Sequence, residues 1–168
     1  MTIHAGHPFA DPPGRRDAAR QFRGRLISPV TLWLTGEGRR RAGMTVSSML
    51  IALGEEPALV GLLDPDSDLA EAIDAFTVTI LTEADRGLAE AFAGLAPAPG
   101  GVFRQAEFTD TDWGPRLVAP RAWLGARIID RRPLGWASEV TARIEHVELT
   151  DADVVLTHLR GRYRPVEP

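Results

Sequence analysis

Hydroxyl side chains cluster near the start of an apolar segment between Gly43 and Leu53. Thr45, Ser47 and Ser48 place three hydroxyl groups within four positions, and a strand-like apolar run follows them. Hydroxyl groups beside exposed backbone N–H groups suit a phosphate or the polar edge of a heteroaromatic ring. A strand edge with solvated side chains is the alternative interpretation, and the segment alone does not decide between the two.

A further hydroxyl group, that of Ser67, lies at the predicted start of a short helix, within the acidic segment Asp64–Asp68. Its simplest role is to cap that helix. A helix N-terminus with a hydroxyl group also attracts anions, because its free N–H groups and its positive dipole end point outward. The neighbouring carboxylates oppose an anion unless they face away from it. We therefore predict that Ser67 caps the short helix, with an anion site as the alternative.

The arginine run and the histidines are weaker evidence for a functional site. The run Arg39–Arg41 lies beside a predicted hairpin turn, where it forms either a charged loop tip or a phosphate contact. His4 and His7 belong to a polar tail. His146 and His158 lie on separate predicted strands without an acidic partner at ligand spacing, which favours structural roles. We therefore predict no metal site.

Composition narrows the possible classes of protein. The chain has 168 residues, of which 44% are apolar and 25% charged, as expected for one globular domain. It contains no Walker-type lysine, no Gly-x-Ser-x-Gly elbow and no cysteine. Its net charge of −4 argues against nucleic-acid binding. No apolar stretch approaches the roughly 20 residues that span a bilayer, and no secretory signal is evident, so we expect a cytoplasmic protein without a membrane partner.

The pattern of apolar residues predicts a mostly β protein, with a flexible N-terminal arm over residues 1–14 and a single domain over residues 15–168. Predicted strands cover residues 30–53 as a hairpin, 59–63, 76–81, 122–130, 140–149 and 154–163, and predicted helices cover 15–26, 66–74 and 84–92. Residues 96–115 are predicted to be irregular. Because short turns join the strands without βαβ alternation, we expect an antiparallel β-barrel with peripheral helices.

Several segments, in this order along the chain, resemble the flavin reductase-like family, whose members share the FMN-binding split barrel. They are Gly43–Ser48, Pro57–Leu63, Ser67, Phe76–Leu81 and Leu88–Gly94. The closing segment Leu156–Arg164 is similar to the final strand of that family, which typically ends in a Gly-x-Tyr pattern. The resemblance covers residues 22–166, and this order of segments is more specific than any one motif.

The resemblance implies a homodimer that holds FMN, or accepts free FMN or FAD, in a groove at the barrel and dimer interface. It implies flavin contacts for four consecutive residues, Thr45, Val46, Ser47 and Ser48. The reaction would be hydride transfer from NADH or NADPH to the flavin, and no side chain need act as an acid or a base. Many members of the family pass the reduced flavin to a separate monooxygenase, which is therefore a candidate partner.

The resemblance also assigns the flavin phosphate to Ser67, and it places Asp68 where the family often has a neutral hydroxyl residue. One departure concerns the nicotinamide. Gly135-Trp136-Ala137 stands where the family often carries Gly-Asp-His. Trp136 is the tryptophan best placed to face a ligand, and it would either stack on a ring or block hydride donation. A non-catalytic FMN-binding protein, a dimeric interaction module, and a split barrel for haem or a deazaflavin remain alternatives.

Overall fold

A computed structural model describes residues 17–151 and 154–167, so the predicted arm over residues 1–14 lies outside the described residues. The strands are β1 (Ser28–Pro29), β2 (Thr31–Thr35), β3 (Ala42–Val46), β4 (Met49–Ala52), β5 (Ala58–Leu63), β6 (Ala75–Ile80), β7 (Phe108–Thr111), β8 (Gly114–Leu117), β9 (Trp123–Leu134), β10 (Ala137–Glu148), β11 (Val155–Leu159) and β12 (Arg162–Val166). The α-helices are α1 (Ala18–Arg23), α2 (Asp68–Ala72) and α3 (Arg86–Phe92). None of the helices in these ranges is long and apolar enough to cross a bilayer.

Seven strands form one antiparallel sheet in the order β3-β2-β6-β9-β10-β5-β4. The two edge strands, β3 and β4, are separated in the chain by only Ser47 and Ser48. Six strand spacings would put the edges of a flat sheet about 29 Å apart, whereas three residue steps span at most about 11 Å. The sheet must therefore curl until its edges meet at Ser47–Ser48. The predicted antiparallel split barrel with peripheral helices is confirmed.

The core has two parts because β2 is buried on both faces. On the inner face, the Trp33 ring stacks on Phe76 with ring centroids 4.9 Å apart. The indole also packs against the backbone of Gly61, where an added Cβ would lie 2.4 Å from Trp33 Cη2. On the outer face, Leu32 and Leu34 join a second apolar cluster that includes residues of α3 and β11. Because alternate side chains of β2 point to opposite faces of the sheet, this strand contributes both to the barrel interior and to the cluster that holds α3.

The predicted capping box is confirmed, and it begins a 3-10 turn (Glu83–Asp85) that leads directly into α3. The Asp85 carboxylate accepts hydrogen bonds from the backbone N–H and the hydroxyl of Thr82, both at 2.9 Å, and a forked pair from Arg121 at 2.7 and 3.1 Å. Burial alone would raise the pKa of Asp85, but these hydrogen bonds and the charge of Arg121 outweigh it and hold the pKa below its usual value.

Four segment boundaries differ from the sequence-based prediction. The predicted strand after Gly43 is broken into β3 and β4, because Ser47–Ser48 carry the chain from one sheet edge to the other. Residues 96–115 were predicted to be irregular, but they contain β7 and the start of β8, joined by a turn in which the Thr111 hydroxyl donates to Gly114 O. The turn predicted at Arg132-Pro133 lies instead at Gly135-Trp136, and the last predicted strand is the hairpin β11–β12.

Candidate functional site

The residues predicted to bind a ligand gather at one end of the barrel. The backbone N–H of Leu62 donates to Ser48 O at 2.9 Å, which places the hydroxyl cluster beside the last residues of β5. Leu63, which ends β5, pairs with Ser138 of β10. The turn that contains Trp136 directly precedes β10, and the loop to Ser67 directly follows β5. The closure at Ser47–Ser48, the start of α2 and the β9–β10 turn therefore share this end.

Thr45 and Val46 make contacts within the fold, and they are not among the residues that line the open groove beside them. The Thr45 hydroxyl donates to Ala89 O at 2.7 Å and so joins β3 to α3. Val46 is buried, and its carbonyl oxygen accepts a hydrogen bond from the Thr31 hydroxyl at 2.6 Å. Of the three hydroxyl groups in the predicted cluster, those of Ser47 and Ser48 are the ones that border an open groove.

This groove, called here the arginine groove, has a volume of about 280 Å³. It is lined by Arg20, Arg23, Gly24, Ser28, Ser47, Ser48, His158 and Gly161. Arg23 Nη2 donates to Ser48 Oγ at 3.3 Å, which holds the guanidinium against the barrel closure. All the lining side chains carry hydrogen-bond donors or are glycines, and no aspartate or glutamate is among them. Such a surface suits an anionic ligand.

Helix α1 presents Arg20 and Arg23 to the arginine groove from adjacent turns. The Asp17 side chain caps the helix by accepting the Ala19 N–H at 2.9 Å. At the other end, Gly24 O accepts the backbone N–H of Arg160 at 2.8 Å. Arg160 has a φ of 51°, in the left-handed region that non-glycine residues occupy at a cost. This contact ties α1 to the β11–β12 turn.

The same turn brings His158 into the arginine groove. His158 lies on β11, pairs with Ser28 of β1, and packs edge-on against the Tyr163 ring with centroids 6.0 Å apart. Burial, together with the positive charge of Arg23, lowers the pKa of His158 below its usual value. Burial likewise raises the pKa of Tyr163, with a smaller contribution from Glu90. Both rings are therefore neutral at neutral pH.

Ser67 is the N-cap of α2, as predicted. Its hydroxyl donates to Asp64 O at 2.7 Å and accepts the Ala70 N–H at 3.1 Å. Asp66 and Asp68 are exposed on either side of it. The local surface is therefore acidic, and the Ser67 hydroxyl already makes two hydrogen bonds within the chain.

Trp136 lies at the tip of the β9–β10 hairpin with 64% of its surface exposed. The hairpin is stiffened by a forked ion pair between Arg132 and Glu139, at 2.6 and 3.0 Å. It is held against α2 by Arg131, whose Nη1 donates to Ala70 O at 2.9 Å. Trp136 is thus presented on a supported arm at the same end of the barrel as Ser67.

Several groups in the groove were not predicted to be functional from the sequence, among them Arg23 and His158. Arg23 is 25 residues from Ser48, and no spacing rule links them. His158 was interpreted as structural, and only its place in the family-like closing segment hinted at more. The Arg39–Arg41 run, by contrast, lies at the opposite end of β3, where Arg41 Nη2 pairs with Asp110 at 2.6 Å.

Comparison with known proteins agrees with this geometry. A family model described as "Flavin reductase like domain" matches residues 23–167. The reductase component of 4-hydroxyphenylacetate 3-monooxygenase from Thermus thermophilus is 28% identical over 153 residues, covering 89% of this chain and 95% of that protein.

Two solved structures show the same fold. The NADH:FAD oxidoreductase SgcE6 of Streptomyces globisporus superposes with a TM-score of 0.79 at 20% identity, covering 94% of this chain and 99% of that one. It has also been solved with NAD and FAD fragments. A flavin reductase domain protein from Arthrobacter sp. FB24 gives a TM-score of 0.78 at 17% identity, covering 89% and 94% of the two chains.

Proposed function

Because the chain belongs to the flavin reductase-like family, we propose that residues 15–168 form one domain that transfers hydride from NADH or NADPH to a flavin nucleotide. The observation that carries this proposal is the donor-rich groove at the closure of the barrel, where Ser47 and Ser48 meet Arg23. The names of the relatives support it, since the Thermus protein is a monooxygenase reductase component and the Streptomyces protein is an NADH:FAD oxidoreductase.

The residues present fit a flavin nucleotide. FMN and FAD carry hydrogen-bond acceptors along one ring edge and on the phosphate, and the lining of the groove consists largely of donors. When bound, the flavin supplies the redox chemistry by accepting hydride at N5. The protein binds and orients the ring, and the positive field of Arg23 favours negative charge on the ligand. No side chain of the chain has to give or take a proton at N5.

The site residues predicted from the sequence keep distinct roles in this proposal. Thr45–Ser48 face the flavin through backbone N–H groups and the hydroxyls of Ser47 and Ser48, because the Thr45 hydroxyl is bonded to α3. Ser67 and Asp68 border the bound flavin from α2. Trp136 stacks on the flavin or on the nicotinamide from its supported hairpin.

A non-catalytic flavin-binding protein is the second candidate, and the exposed Trp136 favours it. Trp136 stands where the family often has aspartate, and Ala137 stands where it often has histidine. The large ring of Trp136 at the hairpin tip would fill the space that a nicotinamide needs. The two candidates differ in whether NADH or NADPH is consumed.

The test is an absorption spectrum of the purified protein with FMN, before and after NADH or NADPH is added without oxygen. A reductase bleaches the flavin band in many turnovers when FMN is in excess. Flavin binding without bleaching supports the second candidate, and absence of any flavin binding contradicts both. Trp136→Ala, with Leu134→Ala in the same hairpin as control, shows whether Trp136 helps or blocks the nicotinamide.

We also propose a homodimer and a cytoplasmic location, with a monooxygenase as the acceptor of reduced flavin. Three apolar side chains at the end of β4 support the dimer, because Leu50, Ile51 and Leu53 are 58%, 45% and 90% exposed. Leu50→Glu should give a monomer in analytical ultracentrifugation, whereas Leu149→Glu, at another exposed leucine, should not. A monomeric unmodified protein would refute the dimer.

A further inference from the structure

The small sheet of β1, β11 and β12 is covered on one face and open on the other. Side chains alternate between the two faces along each strand. Leu156 of β11 is buried in the second apolar cluster and therefore marks the covered face. Leu159 is an odd number of positions further along β11, so it lies on the opposite face. A groove of about 610 Å³ opens there, called here the outer groove, and it is lined by Arg25, Ile27, Leu159, Arg160, Arg162 and Arg164.

The outer groove carries positive charge without counter-ions. No aspartate or glutamate lines it. Among residues 17–151 and 154–167, salt bridges join six arginines to carboxylates, and none of the arginines of the outer groove is one of the six. Because the whole chain has a net charge of −4, this surface is positive on an otherwise acidic protein. Like charges repel one another, and an acidic partner would remove that cost.

Apolar side chains share this surface with the arginines. Ile27 has 66% of its surface exposed, and Leu159 is partly exposed. Val166 lies on the same face of β12 as Arg162 and Arg164, and it is also exposed. Exposed apolar groups rimmed by polar residues are typical of a protein-binding surface, and arginine is enriched in such interfaces. A matching partner would therefore offer carboxylates together with an apolar side chain.

Protection of a sheet edge does not account for these arginines. β12 is an edge strand, and charged residues on edge strands prevent pairing with other chains. This edge is already blunted, because Pro165 has no N–H to offer and Tyr163 O accepts a hydrogen bond from Arg86 Nη1 at 3.1 Å. Arg25 and Arg160 lie outside β12. The set of arginines is therefore larger than edge protection requires.

The outer groove adjoins the proposed flavin site. The backbone N–H of Arg160, which lines the outer groove, donates to Gly24 O, and Gly24 lines the arginine groove. A protein bound in the outer groove would therefore lie beside the groove that Ser47 and Ser48 border. It would not occupy β4, which carries the apolar residues of the proposed dimer and belongs to the seven-stranded sheet.

We propose that the outer groove docks an acidic segment, with an apolar side chain at its centre, of the protein that accepts the reduced flavin. Carboxylates of that segment pair with Arg162 and Arg164, and its apolar side chain packs on Ile27 and Leu159. The positive field of the groove speeds association with an acidic partner. The role of that partner as the flavin acceptor rests on the proposed function, whereas the docking chemistry does not.

The experiment is a fluorescence anisotropy titration with a fluorescein-labelled synthetic peptide of glutamates around a central leucine. The unmodified protein should bind one peptide per chain, and more weakly as salt is added. In Arg162→Glu/Arg164→Glu the Kd should rise about tenfold or more, because two attractive contacts become repulsive. Ile27→Ser should raise the Kd about threefold for this peptide, but not for a peptide with serine in place of leucine. Circular dichroism checks that each variant is folded.

Arg39→Glu/Arg40→Glu is the matched control, because it reverses two exposed arginines at the other end of β3 and changes the net charge equally. It should leave the Kd for the peptide within about twofold. Equal losses in the two double variants would overturn the inference, since the peptide would then respond to net charge alone. Tighter binding of phosphatidylglycerol vesicles or of single-stranded DNA, lost in Arg162→Glu/Arg164→Glu, would also overturn it in favour of a membrane or a nucleic acid.

Reduction of free FMN by NADH or NADPH separates this inference from the proposed function. Arg162→Glu/Arg164→Glu should leave that activity unchanged while it weakens the peptide. If the unmodified protein reduces FMN and does not bind the peptide, the inference is overturned and the proposed function stands. If it binds the peptide and neither binds nor reduces a flavin, the docking surface is supported and its link to a flavin acceptor is overturned.

Discussion

Ser48 and Ser67 are two serines at the same end of one barrel, and their surroundings differ in almost every respect. Ser48 borders an open groove and accepts a hydrogen bond from Arg23. Ser67 bonds twice within its own loop and helix and is flanked by Asp66 and Asp68. The residue type is the same, but only Ser48 has an anion-attracting neighbour. A serine at a helix start is therefore weak evidence for a phosphate site until its charge environment is known.

Of the changes considered, charge reversal at Arg23 should change the affinity for FMN the most. In Arg23→Glu the groove loses its main cation and gains a carboxylate, so the Kd for FMN should rise about 100-fold. The Kd for riboflavin, which has no phosphate, should change much less. Fluorescence titration measures both constants, with Arg40→Glu as the control. A similar loss for FMN and riboflavin would mean that Arg23 supports the ring or the fold instead of attracting the charge of FMN.

Replacement of Ser67 should lower the stability of the fold, because its hydroxyl caps α2. Ser67→Ala removes the N-cap of α2 and should lower the free energy of unfolding by about 1 kcal/mol. Ser67→Asp keeps a capping oxygen and should restore most of that loss, while adding a negative charge. Urea unfolding and FMN titration are measured on both variants. A loss of FMN affinity in Ser67→Asp without a loss of stability would mean that the added carboxylate repels the flavin phosphate at the start of α2.

Salt should weaken FMN binding moderately and riboflavin binding very little. The attraction between an exposed guanidinium and the charge of FMN is screened as ionic strength rises, whereas ring contacts are not. From about 0.05 to about 0.5 M sodium chloride, the Kd for FMN should rise about threefold. The salt effect should disappear in Arg23→Gln. An unchanged salt dependence in that variant would point to another cation, such as Arg20.

The smallest expected effect is a loss of thermal stability at lower pH, which follows from the titration of His158. Its pKa is lowered in the folded protein by burial and by Arg23, so the unfolded chain binds a proton first as the pH falls. Stability is therefore lost as the pH drops below the ordinary histidine value of 6.5 toward the folded pKa. Between pH of about 7.5 and about 5.5, Tm should fall by no more than about 3 °C because of this group.

His158→Asn should reduce that fall in Tm. Other charged and titratable side chains lie near His158, and their states must be known before the fall in Tm is assigned to it. Arg20, Arg23, Arg162 and Arg164 also line this region, and Tyr163 remains neutral because its pKa is raised. Asp85, whose pKa is lowered, loses its contribution only at more acidic pH, below its ordinary value of 3.8. An identical fall in the variant would assign the effect to another group.

Features set by neighbours in the sequence were predictable. The alternation of β2 and the Ser67 cap can be seen within a few residues, because each depends on local periodicity or a local hydrogen bond. The capping box Thr82–Asp85 belongs to the same class. The order of the family-like segments then supplied the barrel, which local patterns alone indicate only as an antiparallel sheet.

Features set by contacts between distant segments were not predictable. The break of the predicted strand at Ser47–Ser48 follows from closing a seven-stranded sheet, which no local pattern encodes. The meeting of Arg23, Ser48 and His158 depends on α1, the barrel closure and β11 packing together. The charge run Arg39–Arg41 drew attention in the sequence, yet the fold places it away from this groove.

The most direct test of the account is a crystal structure of the protein with FMN bound. If the proposed site is right, the flavin ring edge lies along Ser47–Ser48, within hydrogen-bonding distance of their hydroxyl or backbone N–H groups. A flavin ring bound away from Ser47–Ser48 would contradict the proposed site.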